Sequence, residues 1–395
     1  MKYLLLHSFV FLALLLAGCM TESVPTATVE SIMTSNSPIP APETMVPTVV
    51  SGADSPLLSS NAILRTELIL DDVGLVTAME FAPDERLFFS EKEGGVFSLT
   101  IEKEGSANKI EILQLDVAEG AENGLLGLAL APDFSESHQF YVYYNVPNGE
   151  NKPTKSRIVR YTEQSNQAID ETLIVDDLPA SPEQRYHFGG GLTFGPDDKL
   201  YLIFGDRNMT DAARDPGQLP GSVLRYNIDG TIPADNPFPN SPVYAYGIRN
   251  GFGLAFHPKT GQLYETENGA SCDDELNIIL PGADYGWGAH AWDACPYPDD
   301  TGQVPLHQWG RIIAPADLMF YTADLMPEFK GDLLVCAHNE SKLIHIRLTE
   351  NGRAVREVNT IEIPDKYELC RITLTQGPDG WIYTATTDRI QRIGR

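Results

Sequence analysis

Six times along the chain, an apolar run leads into a short turn that contains proline, and a second apolar run follows. The turn prolines are Pro83, Pro132, Pro196, Pro258, Pro327 and Pro378, which lie 49, 64, 62, 69 and 51 residues apart. Proline, and the aspartate that often follows it, suits the first corner of a turn, and Val, Ile, Tyr and Phe favour strands. Each unit therefore predicts a pair of antiparallel strands.

A third apolar run follows each pair: GGVFSLT, SRIVRYT, GSVLRYN, DELNIIL, SKLIHIR and DRIQRIG. Sustained helical periodicity is absent from residues 61–395. A four-stranded unit repeated six times predicts an all-β fold, a six-bladed β-propeller with four-stranded antiparallel blades. A β-sandwich with accidental Pro-Asp turns is the alternative. The last unit stops at Arg395 after its third strand, so we expect residues 64–70 to supply the missing strand.

The N-terminus reads as an export segment. Residues 1–18 contain one lysine and an apolar run too short to span a bilayer as a mature helix. The sequence Leu16-Ala17-Gly18-Cys19 resembles a bacterial lipobox, which implies cleavage before Cys19 and lipidation of that cysteine; a plain signal peptide is the alternative. Residues 19–60 are rich in Thr, Ser, Pro and Val and predict a flexible tether. Residues 61–395 then form the propeller domain.

The charge excludes one class of partner. The formal net charge is −27, and removal of residues 1–18 with Lys2 makes it −28. Such a field repels nucleic acids and anionic lipid head groups, so membrane contact is expected through the lipid anchor only. We expect an extracytoplasmic, membrane-anchored lipoprotein on the cell surface or in the periplasm.

Four cysteines remain besides Cys19. Cys272 and Cys295 are predicted to form a disulfide, because oxidising compartments permit it and the pair would close one loop. Cys336 and Cys370 lie in apolar runs, and a second disulfide or two buried thiols are equally consistent with the sequence.

One segment carries most of the functional information. Residues 243–288 read VYAYGIRNGFGLAFHPKTGQLYETENGASCDDELNIILPGADYGWG. The order of Arg-Asn, G-L-A-F-x-P, E-x-G, D-E-L-N and Y-G-W closely resembles the soluble PQQ-dependent sugar dehydrogenases of the glucose/sorbosone dehydrogenase family. That resemblance also implies a six-bladed propeller, in agreement with the count of repeats.

A histidine beside three glycines is the candidate base. His187 precedes Gly189, Gly190 and Gly191, and little side-chain cover is expected there, so its imidazole can meet a ligand. Asp206 lies nineteen residues further on, after the return strand of the next pair, and can hold the far ring nitrogen. A turn histidine is the alternative from spacing alone. The resemblance implies that His187 is the general base, although relatives often carry arginine in place of Gly191.

The resemblance also implies a cofactor site. Arg249 and Asn250 match the pair that contacts PQQ, a tricarboxylate for which a forked guanidinium is a natural partner. Glu122 stands where the glucose dehydrogenases have a glutamine that touches the cofactor. The carboxylate of Glu122 disfavours an anionic cofactor unless it is paired or protonated.

Two calcium sites are implied in the same way. The carbonyls of Gly269 and Ala270 match those that hold the cofactor-linked Ca²⁺, and Glu275 with the Tyr285 carbonyl matches a second, structural site. From the residues alone, acidic surface turns are the alternative. The stapled loop that follows adds Trp287, Trp292, Tyr297 and Trp309, which can pack as a loop or provide sugar platforms.

Three positions depart from the family. The best-studied relatives hold PQQ with a lysine and two arginines, where an ungapped alignment places Asn339, Cys370 and Ile372. Lys342 and Arg371 lie nearby, but a one-residue slip along a strand sends a side chain to the other sheet face.

The implied reaction is PQQ- and Ca²⁺-dependent oxidation of an aldose at C1 to the lactone. In it, His187 takes the hydroxyl proton and hydride passes to PQQ. The partners are then a small sugar and an unidentified electron acceptor. The alternatives are a non-catalytic, Ca²⁺-binding propeller lipoprotein that binds or scaffolds at the surface, and a Ca²⁺-dependent lactonase.

Overall fold

The computed structural model describes residues 63–102, 106–289, 302–364 and 366–395. The predicted signal peptide, Cys19, the tether and Cys295 with its proposed disulfide lie outside the described residues, as do Trp292 and Tyr297. No helix in the described part of the chain is both long and apolar enough to cross a membrane.

The described residues form 24 strands and two four-residue helical turns. The first strand is β1 (Arg65–Asp71). The first two blades contain β2 (Val76–Phe81), β3 (Leu87–Glu91), β4 (Gly95–Ile101), β5 (Ala107–Gln114), β6 (Leu125–Leu130), β7 (Gln139–Pro147), β8 (Pro153–Gln164) and β9 (Gln167–Pro179), with α1 (Phe134–Ser137) between β6 and β7.

The third and fourth blades contain β10 (Leu192–Phe194), β11 (Leu200–Phe204), β12 (Ser222–Tyr226), β13 (Val243–Tyr246), β14 (Gly251–Phe256), β15 (Leu263–Glu267), β16 (Asp274–Ile279) and β17 (His307–Trp309), with α2 (Thr210–Ala213) after β11. The last two contain β18 (Pro315–Phe320), β19 (Leu333–Ala337), β20 (Lys342–Leu348), β21 (Val355–Thr360), β22 (Leu374–Gln376), β23 (Ile382–Ala385) and β24 (Arg389–Gly394).

These strands build six four-stranded antiparallel sheets, so the predicted six-bladed β-propeller is confirmed. In the first five blades the strands pair in chain order, and the first strand of each blade contacts the first strands of its neighbours. Second strands such as β11 are buried along their whole length because neighbouring blades cover both faces. Fourth strands such as β9 have many exposed positions.

The two ends of the domain close the ring, as predicted. β1 pairs antiparallel with β24, from Arg65 opposite Gly394 to Asp71 opposite Arg389, and completes the sixth blade. The guanidinium of Arg392 binds Glu67 across this seam at 2.6 Å. The sixth blade therefore has no unpaired edge at β24.

A disulfide joins the fifth blade to the sixth. Cys336 on β19 bonds to Cys370 in the segment before β22, with 5.1 Å between their Cα atoms, and both residues are fully buried. Of the two alternatives left open by the sequence, the structure therefore shows the disulfide.

Candidate active site

A cavity of about 810 Å³ lies at the end of the propeller where the first strands begin. Two kinds of segment supply its polar groups: those that enter a first strand and those that leave a second strand. His187, Arg249 and Asn250 belong to the first kind, and Asn268 and Gly269 belong to the second. The turn prolines of the first four blades line a separate cavity between the far ends of these strands.

The backbone around His187 is tightly constrained. His187 has φ of 62°, in the left-handed region that costs a residue with a Cβ about 1 kcal/mol or more. Its amide N–H donates to the carboxylate of Glu122 at 2.6 Å. A Cβ on Gly191 would lie 2.4 Å from the carbonyl oxygen of Phe252. Glycine at position 191 therefore has a local reason, since this backbone leaves no room for a Cβ.

Asp206 holds the imidazole of His187. Its Oδ1 lies 2.6 Å from His187 Nδ1 and also accepts the amide N–H of Asn208. Its Oδ2 accepts the indole N–H of Trp287 at 2.6 Å. Asp206 is fully buried, and a buried carboxylate accepts hydrogen bonds at both oxygens, so we assign the His187 proton to Nδ1. The sequence predicted the His187–Asp206 pair and missed the bond from Trp287.

This arrangement prepares Nε2 of His187 for proton transfer. The ring lines the cavity, and Nε2 has no hydrogen-bond partner within the described residues. With the proton on Nδ1, Nε2 carries the lone pair. It can therefore accept a proton from a hydroxyl group placed in the cavity, with Asp206 favouring the charge that forms.

Glu122, Arg249 and Asn250 form one network beside His187. The carboxylate of Glu122 accepts the amide of Asn250 at 3.2 Å in addition to the His187 N–H. Arg249 donates to the carbonyl of Asn268 at 2.8 Å and lies over the ring of Trp287. The carboxylate of Glu122 thus holds the His187 turn through two neutral N–H donors.

Arg207 is a supporting residue that sequence reasoning missed. Its fully buried guanidinium lies between the rings of Phe188 and Phe204, about 4.2 and 4.1 Å from their centroids, and donates to Tyr143 and Ser156. Burial lowers the pKa of Arg207. Its position directly after Asp206 was the one available signal, since an arginine rarely follows a buried strand without a structural role.

The candidate calcium ligands occupy two places. Gly269 lines the cavity beside Asn268, whose Oδ1 is buried without a partner among the described residues. Ala270 follows Gly269 and is not among the cavity-lining residues. Within the described residues, no group of three or more His, Cys, Asp or Glu side chains is arranged to hold a metal ion. A cation beside Gly269 would therefore depend on neutral oxygens, and the orphaned amide oxygen of Asn268 fits that role.

Glu275 lies on a buried carboxylate face of the fourth blade. It is opposite Glu267 in the β15–β16 pairing, and Glu265 is opposite Asn277 on the same face. Burial, reinforced by repulsion between neighbouring carboxylates, raises the pKa values of Glu265 and Glu275. Oε1 of Glu265 and Oδ1 of Asn277 lack partners in the described part of the chain. Such oxygens suit a hard cation or shared protons.

Tyr285 is buried near this face, and its hydroxyl donates to the carbonyl of Ile278. The predicted second calcium site pairs the carbonyl of Tyr285 with Glu275, apart from Gly269 and Ala270. The two-site prediction for calcium stays a prediction.

The positions that the resemblance assigned to carboxylate binding carry no cation in this chain. Ile372 lines the cavity with an apolar side chain, and Cys370 is held in the disulfide. Lys342 binds Glu362, and Arg371 binds Ser341 and Thr387. Neither Lys342 nor Arg371 lines the cavity, as expected if a one-residue slip turns the side chain away.

The described aromatic residues of the predicted loop are packed. Trp287 is 8% exposed and Trp309 is 5% exposed, so neither offers an open face. The exposed aromatic residue at the cavity is instead Tyr186, which is 50% exposed and directly precedes His187.

The protein therefore belongs to the class of six-bladed β-propellers whose axial cavity is lined by a histidine that a carboxylate orients. The sequence profile of the Glucose / Sorbosone dehydrogenase family matches residues 75–395. The chain belongs to this family, as the motifs predicted.

Individual relatives agree with that assignment. The chain is 27% identical to an aldose sugar dehydrogenase of Escherichia coli (strain K12), over 85% of this chain and 93% of the relative. It is 32% identical to quinoprotein glucose dehydrogenase B of Acinetobacter calcoaceticus, over 65% and 59%. The PQQ-bound aldose sugar dehydrogenase from Streptomyces coelicolor superposes with a TM-score of 0.69 at 26% identity, over 84% of this chain and 98% of that structure.

Proposed function

We propose that this protein is a sugar dehydrogenase that uses PQQ and Ca²⁺ to oxidise an aldose at C1 to the lactone. One observation carries the proposal: in a member of this family, the imidazole of His187 lines the axial cavity with its Nδ1 fixed by Asp206. A base oriented in this way suits removal of a proton from a sugar hydroxyl.

In the proposed reaction, the anomeric hydroxyl donates its proton to Nε2 of His187 as the C1–H bond breaks. PQQ, when bound, supplies the acceptor for the hydride and its two electrons. Asp206 stabilises the imidazolium that forms, and its three hydrogen bonds keep the ring from turning. The left-handed turn at His187, held by Glu122, fixes the approach of the ring.

The size and lining of the cavity support the proposal that PQQ binds there. A volume of about 810 Å³ accommodates a rigid tricyclic ring with a sugar beside it. Arg249 can bind a carboxylate with the guanidinium N–H groups that are not used by Asn268, and Asn250 is positioned by Glu122. Calcium would bind at the carbonyls of Gly269 and Ala270, with Asn268 as a further oxygen ligand, and Glu275 with the Tyr285 carbonyl would form the second site.

The test is titration of PQQ into the full-length chain with and without millimolar Ca²⁺, followed by dye reduction with a panel of aldoses. We expect saturable binding and sugar-dependent dye reduction that His187→Gln abolishes. The matched control is His345→Gln, which removes a second His–Asp pair outside the cavity. No binding at tens of micromolar PQQ would refute the proposal and favour a non-catalytic propeller.

The remaining predictions concern location. We propose that the chain is a lipoprotein anchored through Cys19 and that electrons pass to an acceptor near the membrane. Incorporation of labelled fatty acid into the full-length chain, lost in Cys19→Ala, tests the anchor. Retention of the label in Cys19→Ala would exclude this site of lipidation.

A further inference from the structure

The cavity is poor in positive charge for a tricarboxylate ligand. Three carboxyl groups, Glu80, Glu122 and Asp317, line it. Burial raises the pKa of Glu80 to about 7 and that of Asp317 to about 6, which reduces the negative charge that they present. In the described part of the chain, Lys92 and Arg249 are the only lysine and arginine side chains that line the cavity.

Lys92 lies in the tight turn between β3 and β4 of the first blade. Its N–H donates to Leu75 and its carbonyl accepts the N–H of Leu125, which fix the backbone. The stem of Lys92 packs on Gly124, where an added Cβ would approach Lys92 Cγ to 2.7 Å. Gly124, with φ of 145°, therefore makes room for this side chain.

The ammonium group of Lys92 is free to bind a ligand. Among the described residues it forms no hydrogen bond or ion pair, whereas its neighbour Glu91 is already paired with Lys109. Glu122, the other carboxylate nearby, accepts hydrogen bonds from His187 and Asn250 at Oε2 and forms no ion pair with Lys92 within the described residues. A cation at a cavity wall without a protein partner is suited to an anionic ligand.

Lys92 and Arg249 approach the cavity from opposite sides of the ring. Lys92 belongs to the first blade, and Arg249 enters the fourth, so in a ring of six they stand across the axis from each other. Two cations placed in this way can bind carboxylates at opposite edges of one flat ligand. The positions that the sequence comparison suggested, on the fifth and sixth blades, provide no cation to the cavity.

We propose that Lys92 is a cofactor-binding residue. Together with Arg249, it holds the carboxylates of PQQ in place of the lysine and two arginines whose positions are taken by Asn339, Cys370 and Ile372. This inference rests on the proposed function, because it assumes that PQQ is the ligand. It assigns the binding of one edge of PQQ to Lys92 in the first blade and of the opposite edge to Arg249.

The experiment measures the Kd of PQQ for the full-length chain by quenching of tryptophan fluorescence, which does not depend on turnover. Lys92→Met keeps most of the stem and removes the charge. We expect it to weaken PQQ binding by about 10- to 100-fold, the effect of losing one charge-assisted hydrogen bond. Lys92→Arg should bind PQQ within about threefold of the wild type.

Two controls isolate the charge. Lys342→Met removes the lysine that binds Glu362 outside the cavity, and its Kd should match that of the wild type. The trimethyl ester of PQQ, which lacks the carboxylate charges, should bind the wild type and Lys92→Met equally. Circular dichroism and thermal unfolding of Lys92→Met confirm that the fold is retained.

The outcomes separate this inference from the proposed function. An equal Kd of PQQ for the wild type and Lys92→Met would overturn the role of Lys92 and leave the dehydrogenase proposal intact. A selective loss in Lys342→Met would return the role to the fifth blade and overturn the inference. A wild-type chain that fails to bind PQQ would refute both.

Discussion

At the scale of single residues, Asp206 decides how His187 can act. Two of the three donors around its carboxylate, the Asn208 amide and the Trp287 indole, cannot change direction. If an amide replaced this carboxylate, its NH2 group would face at least one of these N–H donors and could not accept its hydrogen bond. Asp206 therefore acts as an acceptor at both oxygens and sets the tautomer of His187.

We expect Asp206→Asn to lower kcat by about 10³-fold or more, because the imidazole loses the tautomer that leaves Nε2 as the base. The Kd of PQQ should change by less than about threefold, since Asp206 does not line the cavity. Single-turnover rates and a binding titration on the same preparation measure both effects. A loss confined to PQQ affinity would contradict the orienting role.

Tyr186 is the residue best placed to stack on a sugar ring. It is half exposed at the cavity beside His187. We expect Tyr186→Ala to raise KM for the aldose by roughly tenfold, about 1.4 kcal/mol, with little change in kcat, and Tyr186→Phe to restore KM. Steady-state kinetics test this, with Tyr367→Ala, a highly exposed tyrosine outside the cavity, as the control. An unchanged KM in Tyr186→Ala would exclude the platform.

Sequence patterns could identify His187, Asp206, Arg249 and Asn250 because these residues lie in family motifs with fixed spacing. Other roles depend on long-range packing that no local pattern encodes. Lys92 reads as part of a charged turn in E-K-E-G-G, and its contact with Gly124 exists only once two blades are adjacent. The sequence left packing and sugar platforms open for the tryptophans, and the structure shows packing at Trp287 and Trp309.

At the scale of elements, the prolines predicted the turn after the first strand of every blade, and all six third strands lie where the apolar runs placed them. The pattern did not predict the irregularities in pairing. In four blades the register shifts at the start of the first strand, at Val76/Ala78, Leu125/Gly127, Gly251/Gly253 and Pro315/Leu318. These bulges lie next to the cavity and redirect the side chains that line it.

The closing strand β1 gives a prediction at this scale. Ile69 is 6% exposed and packs in the core between the sixth and first blades, whereas Leu68 on the same strand is 55% exposed. We expect Ile69→Ala to lower the free energy of unfolding by about 2–4 kcal/mol and Leu68→Ala to change it by less than about 0.5 kcal/mol. Urea denaturation measures both. Equal effects at the two positions would contradict closure of the ring by β1.

At the scale of the whole molecule, the stability of the propeller is coupled to pH through carboxyl groups at its axis. Glu80 lines the cavity from the first blade, and burial raises its pKa from 4.5 to about 7, opposed by a hydrogen bond from the Leu130 amide. A carboxyl group whose pKa is raised by folding binds protons more tightly in the folded chain. Its stabilising contribution is complete below about pH 4.5 and is lost as the pH rises to about 7.

Glu80→Gln keeps an acceptor for the Leu130 amide and removes this titration. Relative to the wild type, we expect the variant to gain about 2 kcal/mol in free energy of unfolding between pH 4.5 and pH 8. The full shift would give more, but the side chain also faces the open cavity. Urea denaturation across this pH range measures the difference, and Glu111→Gln, at an exposed position of β5, is the control. A constant difference between Glu80→Gln and the wild type would show that Glu80 ionises in the folded chain as it does in the unfolded one. In that case the cavity would present a full negative charge at this wall, and a tricarboxylate ligand would depend still more on Lys92 and Arg249.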